Sequence, residues 1–145
     1  MGYDMYRRGE DRKSEADYFR LNIWGMDEAR EQLYRVGIVR GADAPPVPRP
    51  EDFGLDADND GIDLADDHPY MVACRHWQEG FHGEAPGIPS YKLGSNDGWV
   101  VQPLEVQSGV RYADEHHPGW RDGLADFVAE WVTWMEASPE GFEVW

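Results

Sequence analysis

Residues 120–145, WRDGLADFVAEWVTWMEASPEGFEVW, place a helix and a strand side by side in one short stretch. Leu124, Phe127, Val128, Trp131 and Met135 recur at three- and four-residue spacing, the pattern of a helix with one apolar face. That helix is expected over Trp120 to Ala137, because Ser138-Pro139 must end it. Gly141 to Trp145 then alternates apolar and polar positions, which predicts a strand. Just upstream, Ser90-Tyr91-Lys92-Leu93 and Trp99-Val100-Val101 are short strand candidates around Gly94-Ser95-Asn96-Asp97-Gly98. Asn and Asp next to Gly supply the positive backbone angles of a tight turn, so a hairpin is expected there. Pro103 at a first helical position, with Glu105 two residues on, starts a further helix to about Ala113. His116-His117-Pro118-Gly119 breaks it.

Working back toward the N-terminus, Tyr70 to Trp77 reads as a short helix opened by Pro69 and closed near Gly80, with Met71, Ala73, Cys74 and Trp77 inward. Residues 41–54 hold Pro45, Pro46, Pro48 and Pro50 and read as an extended linker. Met26 to Val36 is a helix with Asp27 and Glu28 at its start and Gly37 as its C-cap; Ala29, Leu33 and Val36 share a face. Ile38-Val39 is a short extended exit. Residues 17–24 fit a helix through Tyr18, Leu21 and Trp24, and a strand through Phe19, Leu21 and Ile23. Residues 2–8 alternate as a strand, followed by a charged connector over 9–16. This order excludes an all-α bundle and a regular βαβ series. The expectation is α+β: a small, mostly antiparallel sheet of N-terminal strand, central hairpin and C-terminal strand, packed by three to four helices. Residues 1–145 then form one domain with a Pro-rich, acidic insertion at about 41–68.

The chain carries 29 acidic and 13 basic residues, for a net charge of −16. Residues 1–50 hold nine of each sign, so the entire excess belongs to residues 51–145, with twenty acidic and four basic side chains. Such a balance argues against binding nucleic-acid phosphates or anionic lipid. One cysteine, Cys74, excludes an intramolecular disulfide. No apolar run has membrane-span length and no signal-peptide core is visible, so a cytoplasmic protein is expected. Eleven of the thirteen basic residues are Arg, a usage that suits a high-GC bacterium or its phage. The acidity serves solubility, and it also suits a surface that meets a basic partner or mimics nucleic acid.

Asp56-Ala57-Asp58-Asn59-Asp60-Gly61-Ile62-Asp63-Leu64-Ala65-Asp66-Asp67 is the stretch with metal-ligand spacing. Asp56, Asp58 and Asp60 take positions one, three and five of an EF-hand-type loop. Gly61 stands at six, the Ile62 carbonyl at seven and Asp67 at twelve, a ligand set for Ca²⁺. The stretch resembles the Asp-x-Asp-x-Asp-Gly runs of thrombospondin type 3 repeats and dockerins. It departs from an EF-hand at Asp63, at Asp67 in place of a longer Glu, and in having no helix before it; a solvated acidic loop is the competing reading. Cys74, His76 and His82, with His68 nearby, match no zinc module. His116-His117 with Asp114 and Glu115 could carry acid–base chemistry, but turn residues are the expectation. No nucleophile elbow, phosphate loop or dinucleotide loop is present, which weighs against an enzyme. Among seven Trp, Trp77, Trp131 and Trp134 are expected in or near the core, and Trp24, Trp99 and Trp120 partly exposed as binding anchors.

Several segments resemble a group of uncharacterised actinobacterial proteins and proteins of their phages: Gly2-Tyr3-Asp4, Tyr18 to Met26, Gly87-Ile88-Pro89, Ser95-Asn96-Asp97-Gly98-Trp99 with Pro103 and Glu105, and Gly141-Phe142-Glu143-Val144. The resemblance implies one whole domain and no transferable activity. It implies either a shared surface of Asp97 and Trp99 near Asn22 and Trp24, or equally a turn at Asn96-Asp97-Gly98 with the two Trp as its packing. The expectation is therefore a non-enzymatic interaction protein, such as a phage or accessory inhibitor, docking a protein through an acidic face with Asp97, Trp99, Trp24 and Trp120. Calcium binding through Asp56–Asp67 and nucleic-acid mimicry are the alternatives.

Overall fold

A computed structural model describes residues 2–9, 14–80 and 85–145. In chain order the elements are β1 (Gly2–Arg7), β2 (Tyr18–Asn22), α1 (Ile23–Val36), β3 (Val39–Arg40), α2 (Pro69–Glu79), β4 (Ile88–Pro89), β5 (Trp99–Val101), α3 (Pro103–His116), α4 (Asp126–Glu136) and β6 (Phe142–Val144). Single turns of 3-10 helix lie at 15–17, 50–53, 90–93 and 120–123. The fold is α+β, as expected. Four strands form an antiparallel sheet in the order β2-β1-β6-β5, and β3 and β4 make a separate two-residue parallel pair. Among the described residues no helix is long and apolar enough to cross a membrane.

Residues 17–24 contain both of the structures their sequence allows. Tyr18 to Asn22 is a strand, and α1 begins at Ile23 because Asn22 caps it, its Oδ1 accepting from Gly25 N at 2.7 Å. Gly37 ends α1 in the left-handed conformation (φ 85°), with its N–H on the carbonyls of Leu33 and Tyr34. Pro69 and Gly80 bound α2 as expected, although its inward residues are only half-buried. α4 starts later than the apolar spacing predicts. Residues 120–123 form a single 3-10 turn, Leu124 and Ala125 are extended, and α4 runs from Asp126.

The expected hairpin is replaced by a different pairing. Ser90–Leu93 is a 3-10 turn, and β5 pairs with β6, Trp99 opposite Val144 and Val101 opposite Phe142. Gly98 does adopt positive φ (75°), but its N–H goes to the carbonyl of Val144. A turn motif fixes the bend in the chain and leaves the choice of partner strand to packing.

Strand alternation divides the sheet into two faces. The inner face carries Met5, Phe19, Leu21, Trp99, Val101, Phe142 and Val144, and all but Phe19 are buried. α4 packs on this face through Trp131, whose Nε1 donates to Met5 Sδ at 3.1 Å, and through Trp134, which meets Phe19 and Phe142. Arg7 lies 5.0 Å over the Trp134 ring and donates to Ser138 Oγ at 2.9 Å. Met26, Ala29 and Leu33 of α1 complete the core.

Candidate interaction surface

The outer sheet face has a different chemistry. Tyr6 and Tyr18 stand directly opposite each other with ring centroids 5.3 Å apart. The Tyr18 hydroxyl donates to Asp4 Oδ1 at 2.5 Å, and Arg20 reaches the same oxygen at 3.4 Å. Asp4 and Trp145 exchange two backbone hydrogen bonds (2.7 and 2.8 Å), which brings Trp145 onto this face. There its indole N–H donates to Glu143 Oε2 at 3.2 Å, and its ring lies against Gly98, where any Cβ would collide with it. Tyr6, Tyr18 and Trp145 are 41, 39 and 45% exposed. Hydrogen bonding to Asp4 raises the Tyr18 phenol above its ordinary value of 10, since ionisation would give up the proton it donates to the carboxylate. The Arg20 guanidinium is held further toward its charged form, first by Tyr18 and then by the charge of Asp4.

The sequence-predicted anchors are not brought together on one exposed surface. Trp24 is 78% exposed, as expected, but Trp99 and Trp120 are 1% and 6% exposed and cannot dock a partner. Trp99 falls on the inner face, against Trp77 (4.1 Å) and Tyr91 (4.9 Å), with its indole N–H on Ser95 Oγ. Trp120 donates to Asp114 Oδ1 and is covered by Arg121 at 4.4 Å. Asp97 is exposed, and its carboxylate accepts from the Ser95 hydroxyl at 2.6 Å, holding the turn. Asn22 and the 95–99 segment do meet at Gly2: Asn22 is its strand partner, and Asn96 donates to its carbonyl at 3.1 Å. Tyr6, Tyr18 and Trp145 escaped the sequence reading. Their alternation was visible, but which side of the sheet the helices would cover was not.

In the acidic loop, Asp56, Asp58, Asp60 and Asp67 are exposed. Asp60 Oδ1 accepts from Ile62 N and Asn59 Oδ1 from Gly61 N, two local turns at the loop's centre; Ile62 is 81% exposed. Among the described residues no three His, Cys, Asp or Glu side chains converge on a metal position. His68 caps α2 through Tyr70 N, and His82 lies outside the described residues. His116 is exposed and stacks on Tyr112 at 4.1 Å, and His117 is likewise an exposed turn residue. A depression of about 300 Å³ between α3 and α4 is lined by Gln107, Val110, Arg111, Asp114 and Glu136. Glu136 is already engaged by both terminal nitrogens of Arg121 at 2.8 and 3.0 Å.

Deep under β5 sits a second polar group of residues. Lys92, fully buried, donates from Nζ to Glu105 Oε1 (2.7 Å), Val100 O (2.7 Å) and Glu79 O (2.9 Å). Glu105 Oε1 also accepts from Gln102 N at 2.8 Å, capping α3. Burial pushes the Lys92 ammonium down from its ordinary pKa, and Glu105 opposes that shift. The side chains of Lys92 and Glu105 are 0 and 7% exposed, and the pair forms an internal tie between α2, β5 and α3. No protein-family model, curated protein or solved structure matches the chain.

Proposed function

We propose that this chain is a non-catalytic, acidic interaction module that docks a basic protein on the outer face of its sheet. The observation that carries the reading is the pair of faces. One is sealed by α1 and α4, while the other, apart from the buried Val100 of β5, presents exposed Tyr6, Tyr18 and Trp145 beside Asp4, Arg20 and Glu143. Tyr and Trp with a charged rim are the composition of binding hot spots. Charge selects the partner's sign: among the described acidic residues of 51–145, all but Glu79, Glu105 and Glu143 are exposed, so the acidic excess faces solvent and attracts cations. Lysate capture comparing the unaltered protein with Tyr6→Ala/Tyr18→Ala tests this. A basic protein retained by the first and lost by the second, and released by added salt, supports it; identical retained proteins overturn it. Adding duplex DNA as competitor separates docking on a nucleic-acid site of that partner from docking elsewhere.

A further inference from the structure

Among the described residues, no strand pairs with the outer edge of β2, the outermost strand of the sheet. Asp4 N and O both bond Trp145, so the even-numbered residues of β1 point their backbone groups toward β6 and the odd-numbered ones toward β2. Tyr3–Leu21 and Met5–Phe19 are therefore the hydrogen-bonded pairs of the β1–β2 ladder. It follows that Tyr18, Arg20 and Asn22 turn their backbone groups away from the sheet. Tyr18 N–H is used by Glu15 O. The Arg20 N–H and C=O, the Tyr18 C=O and the Asn22 N–H have no backbone partner among the described residues. The opposite edge is covered: Trp99, Val100 and Val101 of β5 are all buried, and the Val100 carbonyl is taken by Lys92.

We infer that β2 accepts an extended, basic segment of another protein as a fifth strand, paired through Arg20. This rests on the acidic-module reading and supplies its geometry. An added strand would make main-chain bonds to the groups left open, while its alternate side chains join Tyr18 and Tyr6 on the outer face. Trp24, 78% exposed, stands two residues past the strand and offers an apolar anchor beyond its end. Charge selects this occupant over a second copy of the chain. A second copy would bring together two bodies of net charge −16 each. A basic strand meets an attractive field instead.

The probe is a short synthetic peptide alternating Lys and Val, compared with its Glu-Val counterpart and with a Lys-Val peptide N-methylated at every second residue. Amide hydrogen exchange and fluorescence anisotropy read the result. The Lys-Val peptide is expected to slow exchange at Arg20 and Asn22 by about tenfold or more, leaving Phe19 and Leu21, already bonded, unchanged. The N-methylated peptide should bind about tenfold more weakly, for lack of ladder donors. Arg20→Pro, which deletes an outward N–H on an edge strand, should weaken binding similarly, and Arg20→Ala should not. Salt-sensitive binding of Lys-Val over Glu-Val with no protection at Arg20 and Asn22 overturns the strand-addition inference and leaves the acidic module standing. Equal binding of both peptides overturns the charge argument, and with it both readings.

Discussion

At Lys92 and Glu105 a single pair of side chains ties four segments together: the end of α2, the 90–93 turn, β5 and the start of α3. Desolvating two charges is costly, and their attraction offsets it only while both are present. Lys92→Met should therefore cost about 3–5 kcal/mol, because it leaves the Glu105 carboxylate buried without a counter-charge. Lys92→Met/Glu105→Gln should cost clearly less, since no charge remains inside; urea unfolding of both variants measures the difference. Tyr18 gives a second test at this scale. Its phenol pKa is raised in the folded protein, by the Asp4 hydrogen bond first and then by desolvation. A raised folded value means stability that is present below the unfolded pKa of about 10 and lost as pH climbs through the folded one. Tyr18→Phe should thus be less stable than the unaltered protein at neutral pH, with the gap closing above pH 10, while ultraviolet titration shows one fewer late-ionising phenol. Neither site was legible in the sequence. Lys92 sits in a segment that reads as an ordinary strand, and its partner lies thirteen residues on, across a turn whose pairing was misread.

Where local chemistry decides an element, the sequence sufficed. Gly37 stops α1, Pro69 opens α2, and Glu105 reaches back to cap α3; each acts within one turn of the residue it controls. Where the deciding contact is distant, it did not. The strand at 99–101 was visible from Trp99-Val100-Val101, but its pairing with Phe142–Val144 depends on which surfaces exclude water together. The same limit hid the faces of Trp99 and Trp120. Gly109 separates local from tertiary effects directly. In the middle of α3 it lacks a side chain where a Cβ would lie 2.9 Å from Ile38 O and 3.1 Å from Gly87 Cα, both backbone. Helix propensity alone predicts that Gly109→Ala stabilises by about 1 kcal/mol. Contact with rigid backbone reverses the sign, and overpacking of this kind costs about 1–3 kcal/mol. A lowered Tm for Gly109→Ala, against a raised one for Gly123→Ala, whose Cβ meets nothing within 4 Å, is the expected outcome.

Charge is the property of the whole molecule that the sequence conveyed best, because counting side chains needs no coordinates and most carboxylates have no reason to go inside. The distribution has two consequences of opposite sign. Within the folded chain, exposed like charges repel, and the few ion pairs at the surface, such as Arg121–Glu136, do little to balance an excess of sixteen. Between this chain and a basic partner, the same charges attract over distances that shrink to about 8 Å at physiological ionic strength. Raising salt should therefore increase the Tm of the isolated protein while slowing its association with a cationic strand. A protein stabilised by surface ion pairs would lose stability, and a partner held only by the aromatic face would be indifferent. Thermal melts and stopped-flow association across one series of NaCl concentrations measure the two trends together. If Tm falls and association is indifferent to salt, the surface charge acts through internal pairing and no field selects a basic partner; if Tm rises and association slows, that field is the common cause.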